Sequence, residues 1–138
     1  MWVKRSGMAA GWVLGFVLVN GLGTATGQAP PTENKGVTIG KPTSIVLGSQ
    51  IESVQGRVLR VRVITVEPCG VIGLHSHTDR PAVAYVIQGT LTEHRDDTVT
   101  VHRAGESWSV GTEVTHWEEN QGSEPLVLIA ADIFNQGV

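Results

Sequence analysis

From Gly36 to the C-terminus no stretch of the 138-residue chain repeats its apolar side chains every 3.6 residues. Short runs rich in Val, Ile and Thr alternate instead with Gly, Pro, Asp and Asn. A chain of this kind has little choice but to fold as β-structure, because β-branched side chains fit a pleated surface and the intervening residues are turn formers. The expected strands are Ser44 to Leu47, Arg57 to Glu67, Ala82 to Gln88, Thr90 to His94, Thr98 to His102, Ser107 to Val110, Val114 to Glu118 and Leu126 to Phe134. Turns are expected at Gly48, Pro68-Cys69-Gly70, Gly89, Asp96-Asp97, Ala104-Gly105, Gly111 and Gln121-Gly122-Ser123. Arg57 to Val66 alternates for part of its length, with Arg60 and Arg62 on one face and Val61 and Val63 on the other, the pattern of a half-buried antiparallel strand. Leu126 to Ala131 is apolar throughout and reads as a strand buried on both faces, with a short buried helix the other reading of its periodicity. Many short strands in about 100 residues point to a double-sheet sandwich or jelly roll.

The first 27 residues stand apart. A short basic start with Lys4 and Arg5 precedes an apolar run from Met8 to Gly23, and small residues follow at Thr24-Ala25-Thr26-Gly27. This is the order of a secretory signal peptide, residues 1–27, with cleavage expected after Gly27. The run holds four glycines and Asn20 and is shorter than the roughly 20 apolar residues of a spanning helix. A stable membrane span after cleavage is therefore not expected, and an uncleaved N-terminal anchor is the alternative. Periplasmic or secreted localisation follows. Residues 28–35, with Pro30-Pro31 and a polar tail, read as a disordered spacer, and residues 36–138 as one domain.

Eight of the ten basic and all thirteen acidic residues lie beyond residue 27, which gives that part a formal charge of −5. Such a balance argues against nucleic acid as a partner. The single cysteine, Cys69, cannot form an intramolecular disulfide, so packing must carry the fold.

The chemistry-bearing residues centre on His75-Ser76-His77. In an extended strand the i, i+2 spacing puts both imidazoles on one face. His116, brought to the same face, would complete a facial three-nitrogen site with open positions, a common arrangement for a divalent metal. His94 and His102 lie in an expected hairpin and read as structural. Glu118 shares a face with His116 but sits about 6.6 Å further along an extended strand, which disfavours direct ligation.

These residues resemble two motifs of the cupin superfamily. Pro68-Cys69-Gly70, His75-Ser76-His77 and the apolar Val83 to Ile87 ending in Gly89 resemble the first motif. Gly105-Glu106, Gly111 and His116-Trp117-Glu118-Glu119-Asn120 resemble the second. The resemblance spans roughly residues 57 to 134 and implies a small jelly-roll barrel, a double-stranded β-helix with one divalent metal (Fe, Mn, Zn, Cu or Ni) held inside by His75, His77 and His116. It also implies that barrels can pair through outer strands into a homodimer. Where the family pattern has a glutamate ligand five residues after the second histidine, this chain has Ala82. A His₃ site is then more electropositive than His₃Glu, and an anionic or chelating small molecule could supply the missing charge.

Ala82, Ala84, Val86 and Gln88 share parity in their strand and are expected to wall the pocket, with Trp108 over it. Trp117 should face away from the metal. Arg80, in the loop before Ala82, is the candidate for capturing a substrate anion. Glu106 reads as a turn former and Cys69 as an inert thiol. The reading is an exported metal-binding cupin acting on a small molecule as a non-haem oxygenase or a Lewis-acid isomerase or lyase; no catalytic residue is assigned. The alternative is a non-enzymatic small-ligand or metal-binding module. Outside the cytoplasm, zinc and copper would compete with ferrous iron for the imidazoles.

Overall fold

The computed structural model describes residues 29–137, so the basic and apolar segment 1–27 and its expected cleavage site lie outside the described residues. Nine strands, all paired antiparallel, form a curled sheet: β1 (Lys35–Ile39), β2 (Thr43–Val46), β3 (Arg57–Ser76), β4 (Ala82–Gln88), β5 (Thr90–Arg95), β6 (Thr98–Arg103), β7 (Ser107–Val110), β8 (Thr115–Glu119) and β9 (Leu126–Asn135). The order β6-β5-β8-β3-β9-β4-β7, with β1 and β2 also on β3, wraps into a nearly closed barrel of jelly-roll type. No helix among the described residues is long and apolar enough to cross a membrane.

β3 organises this barrel. Its first half, Arg57 to Val66, pairs with β9, and its last residues, Val71 to Ser76, pair with β8. Pro68-Cys69-Gly70, expected as a turn, is instead a kink within the strand. Cys69 takes a positive φ of 60°, its N–H donates to Asn120 O at 3.0 Å, and Asn120 N donates to Gly70 O at 3.0 Å. The partner register slips across the kink, as at a β-bulge, so the chain changes neighbours without reversing. A Cβ at Gly70 would stand 2.7 Å from Glu67 O and from Val66 Cγ1, which is why the kink requires glycine.

Two further expectations are corrected. Lys35–Ile39 is a strand, lying on β3 through Val66 and Val71. The segment before it, read from sequence as a disordered spacer, is laid against β3: Leu74 N donates to Pro31 O at 2.7 Å and Gly73 N to Asn34 Oδ1 at 2.9 Å. Local composition predicted disorder, but the acceptors of this segment meet donors on β3 that sequence composition does not register.

The core is Ile64, Val66, Ala84, Val86, Leu91, Leu126 and Leu128, with Val37, Ile72, Trp108 and Ala130 packed against it. β9 alternates: Leu126 and Leu128 are buried, while Val127 and Ile129 are half-buried on the other face. In β3 the inward face carries Arg60 and Arg62, whereas Val61 and Val63 are exposed. That inversion is stable because Asp132, fully buried, stands directly across from Arg60 and accepts from Arg60, Arg62 and Arg80 at 2.6–3.2 Å.

Candidate metal centre

β3 and β8 run antiparallel with His75 directly opposite His116. His77 follows one residue past the end of β3 and is held by its N–H on Val114 O at 2.9 Å. The topology thus brings together the three histidines that the sequence singled out. His116 Nε2 lies 3.1 Å from His75 Nε2 and 3.1 Å from His77 Nε2.

Each Nδ1 is committed elsewhere. His75 Nδ1 donates to Gly73 O at 2.8 Å, His77 Nδ1 to Arg80 O at 3.0 Å, and His116 Nδ1 bonds Glu93 Oε1 at 2.5 Å. Protons placed there leave three Nε2 lone pairs facing one point. No hydrogen bond joins two such nitrogens, and a cation between them would accept all three lone pairs. Nitrogens about 2.1 Å from a metal and cis to one another stand about 3 Å apart, the separation that His116 Nε2 keeps from each of the other two. Burial lowers the His77 pKa to about 4 despite the Arg80 carbonyl, and burial likewise lowers that of His75, so both rings are neutral at pH 7 and free to ligate. The residues therefore fit a divalent metal on a facial His₃ set.

Glu93 was missed in the sequence. It is buried and accepts from three sides: His116, Arg95 Nε at 2.7 Å and His102 Nε2 at 3.0 Å. Burial pushes its carboxyl up, but the bonds from His116, Arg95 and His102 outweigh this and hold it at about 2. One signal was readable: Glu93 shares strand parity with the core residue Leu91, so a carboxylate on that face needed a partner.

The expected pocket is partly redrawn. A cavity of about 440 Å³ opens beside the histidines and is lined by Ala82, Ala84, Trp108, Arg62, Arg80 and Glu118 among others. Val86 belongs to the core, paired with Leu128. Gln88 is exposed and donates to Pro125 O at 3.1 Å, because the register slips between Val86 and Gln88 and turns the strand end outward. Arg80 lines the cavity but also donates to Asp132 Oδ2 at 3.2 Å and Ser76 O at 2.9 Å. Glu118 is buried on the lining, with Oε1 3.9 Å from His116 Nε2. Burial raises its pKa to about 7 despite the neighbouring His116.

Other residues have structural duties. Trp117 stacks on His94 with centroids 3.7 Å apart, and His102 stacks on Trp108 at 4.0 Å. Glu106 Oε2 accepts from Arg103 N at 2.6 Å, closing the turn before β7. Asn120 Nδ2 donates to Val66 O and Glu124 O, tying the end of β8 to β3.

Comparison with known proteins agrees with this architecture. No curated protein matches the sequence. The chain is similar to a Klebsiella pneumoniae uncharacterised conserved protein with a double-stranded β-helix domain, at 25% identity and TM-score 0.51, covering 54% of this chain and 65% of that one. It is also similar to a predicted oxalate decarboxylase from Thermotoga maritima (18% identity, TM-score 0.54, covering 77% and 94%) and to Bacillus subtilis oxalate decarboxylase (24%, 0.55, covering 76% and 27%). The chain thus spans less than two thirds of the Klebsiella protein and about a quarter of the Bacillus one, and the likeness to the two oxalate decarboxylases shows the fold alone. The cupin domain family matches residues 62–132, just over half of the chain and all three converging histidines, and this chain belongs to that family.

Proposed function

We propose that this is an exported cupin that holds one divalent metal through Nε2 of His75, His77 and His116 and acts on an anionic or chelating small molecule. The observation that carries the reading is the convergence of three Nε2 atoms, each ring fixed through Nδ1, on the wall of a 440 Å³ cavity. A cavity of that size is in the range of small-molecule sites.

A facial three-histidine metal supplies Lewis acidity and open positions for substrate oxygen or sulfur, which suits oxygenation, isomerisation or lyase chemistry. The chain does the rest. Glu93 fixes the tautomer and tilt of His116. Ala82 and Ala84 leave room where larger side chains would fill the cavity, and Glu118 offers a buried carboxyl beside the ligand set that can take or give a proton. Thr32, Glu33 and Asn34, on the segment bonded to β3, line the same cavity.

Pairing of two barrels is part of the proposal. Val61, Val63, Val83 and Tyr85 are all exposed on β3 and β4, the two strands that flank β9, an apolar face suited to a second copy. Sedimentation of the protein as a single-copy species at tens of micromolar would remove that part.

The metal is the first test. Protein isolated from its own compartment should carry close to one equivalent of a divalent metal, and His75→Ala and His116→Ala should each lose it while keeping the β-sheet spectrum. Content below roughly a tenth of an equivalent, or retention in either variant, overturns the ligand assignment. Turnover is then sought by oxygen uptake and by substrate loss against diketones, thiols and phenols.

A further inference from the structure

We propose that the row Trp108–Ala84–Ala130–Arg62, running across β7, β4, β9 and β3, is a slot for a short-chain organic acid, with the carboxylate on Arg62 and a second acceptor of the same molecule on Trp108.

Register places these four residues side by side. Trp108 pairs with Ala84, Ala84 with Ala130, and Ala130 with Arg62. Directly opposed residues point to the same face, and all four line the cavity. Three strand spacings of about 4.8 Å put the ends of the row about 14 Å apart along the sheet, before its curvature brings them closer. The two alanines form a short, small-residue stretch of the cavity wall, and the two long side chains stand at its ends.

The rows on either side also contribute to the cavity wall but differ in character. Val86–Leu128–Ile64 is core, and Val110–Ala82–Asp132–Arg60 carries the ion cluster. The middle row is distinguished by long side chains with capacity to spare, each carrying a buried donor without a partner among the described residues.

That capacity is of one sign. Among the described residues, the buried side-chain polar atoms without a hydrogen-bond partner are Arg62 Nε and Trp108 Nε1, one at each end of the slot. Both are N–H donors, and buried donors are as a rule satisfied, so an acceptor from outside the chain would complete each of them. A ligand rich in acceptors and poor in donors fits both.

Charge favours an anion at the arginine end. Asp132 is one carboxylate among three guanidiniums, so Arg60, Arg62 and Arg80 together keep two positive charges uncompensated. Asp132 occupies Arg62 through Nη2 alone, at 3.0 Å, and Arg80 reaches the same cavity from the loop before β4. With Nη2 held by Asp132, Nε of Arg62 is the donor left for an incoming carboxylate.

The cavity is the one in which the three histidines converge, so assigning this ligand as the substrate rests on the proposed function, whereas its binding does not. Calorimetry on the full chain, stripped of metal, separates the two. Straight-chain dicarboxylates from malonate to adipate are titrated, with the matching diamides and inorganic phosphate as comparison probes. At least one dicarboxylate should bind, its diamide at least about tenfold more weakly. Arg62→Gln and Trp108→Phe, the second keeping an aromatic ring on His102, should each weaken it by about tenfold or more, the loss expected for one well-formed hydrogen bond to a charged group. If Arg62→Gln fails to fold, Arg62→Lys retains the charge near Asp132 without the fork and should still lose affinity. Equal binding of acid and diamide, tighter binding of phosphate than of any dicarboxylate, no binding at millimolar concentration, or affinity within twofold of wild type in both folded variants overturns the slot. Dicarboxylate binding by a protein that never retains metal leaves the slot standing and removes the metal reading.

Discussion

Glu93 Oε1 stands 2.5 Å from His116 Nδ1, and the same carboxylate also receives Arg95 and His102. One buried charge on β5 therefore fixes the orientation of the ligand that β8 contributes. Glu93→Gln keeps an acceptor for His116 but loses the charge, and metal affinity should fall by about 10–100-fold, as removal of such outer partners does. Competition against a chelator measures it.

The same residue sets an acid limit on the metal-free fold. Glu93 titrates at about 2 in the fold and near 4.5 when unfolded, so the unfolded chain binds the proton more readily. Its stabilisation is complete above pH 4.5 and drains away as pH falls towards 2, a difference of about 3 kcal/mol at most. Denaturant unfolding across that window should show a flatter pH profile in Glu93→Gln than in wild type.

Glu118 works with the opposite sign. Its folded value of about 7 lies above the unfolded one, so the folded chain binds the proton more tightly. Metal-free protein should lose stability as pH rises from about 4.5 to 7, by up to about 3 kcal/mol, with no further change above. Glu118→Gln should remove that slope and be more stable than wild type at pH 8. Thermal melts in chelator at pH 5 and pH 8 decide it: equal differences at both would show that Glu118 is not the source.

Much of the barrel was legible in the chain. Ala82 to Gln88, Thr90 to His94, Thr98 to His102 and Ser107 to Val110 read as strands because their alternation is local, and they are strands β4 to β7. What failed was non-local. Pro68-Cys69-Gly70 carries the composition of a turn, but pairing with β1 on one side and Asn120 on the other draws it through as a kink. Lys35–Ile39 gains strand form only from β3, and Gln88 leaves the pocket because of a slip opposite Val127. His75, His77 and His116 could be read because their spacing and parity declare them. Glu93 could not be placed, since its duty depends on which strand lies beside β8. Arg62 was read as one side of a half-buried strand, and only the position of Asp132 shows that its side is the inner one.

Gly73 is the point where the N-terminal segment rests on β3. A Cβ there would lie 2.6 Å from Thr32 O and 2.9 Å from the Glu33 carbonyl carbon, all backbone atoms that cannot rotate away. Gly73→Ala should lift Pro31 to Asn34, break the bond from Leu74 N to Pro31 O, and cost about 1–3 kcal/mol, as overpacking does. Faster hydrogen exchange at Leu74 N–H, with the β4 and β9 amides unchanged, is the expected signature. Uniformly faster exchange would mean that the change unfolds the barrel instead.

Ala82 offers the converse experiment. It lines the cavity at the position where the family pattern carries a glutamate, and its cross-strand neighbour is Asp132. Ala82→Glu would add a carboxylate able to reach either the histidines or Arg80, since Arg80 lies in the same cavity and already shares Asp132. Where the metal wins, retention against a chelator should rise by on the order of tenfold, because an anionic ligand offsets the charge that three neutral imidazoles leave. Carboxylate binding should weaken in the same variant, for the new side chain supplies within the chain the negative charge that the cavity otherwise takes from a ligand. Tighter metal with unchanged carboxylate affinity would show that the two ends of the cavity are electrostatically independent.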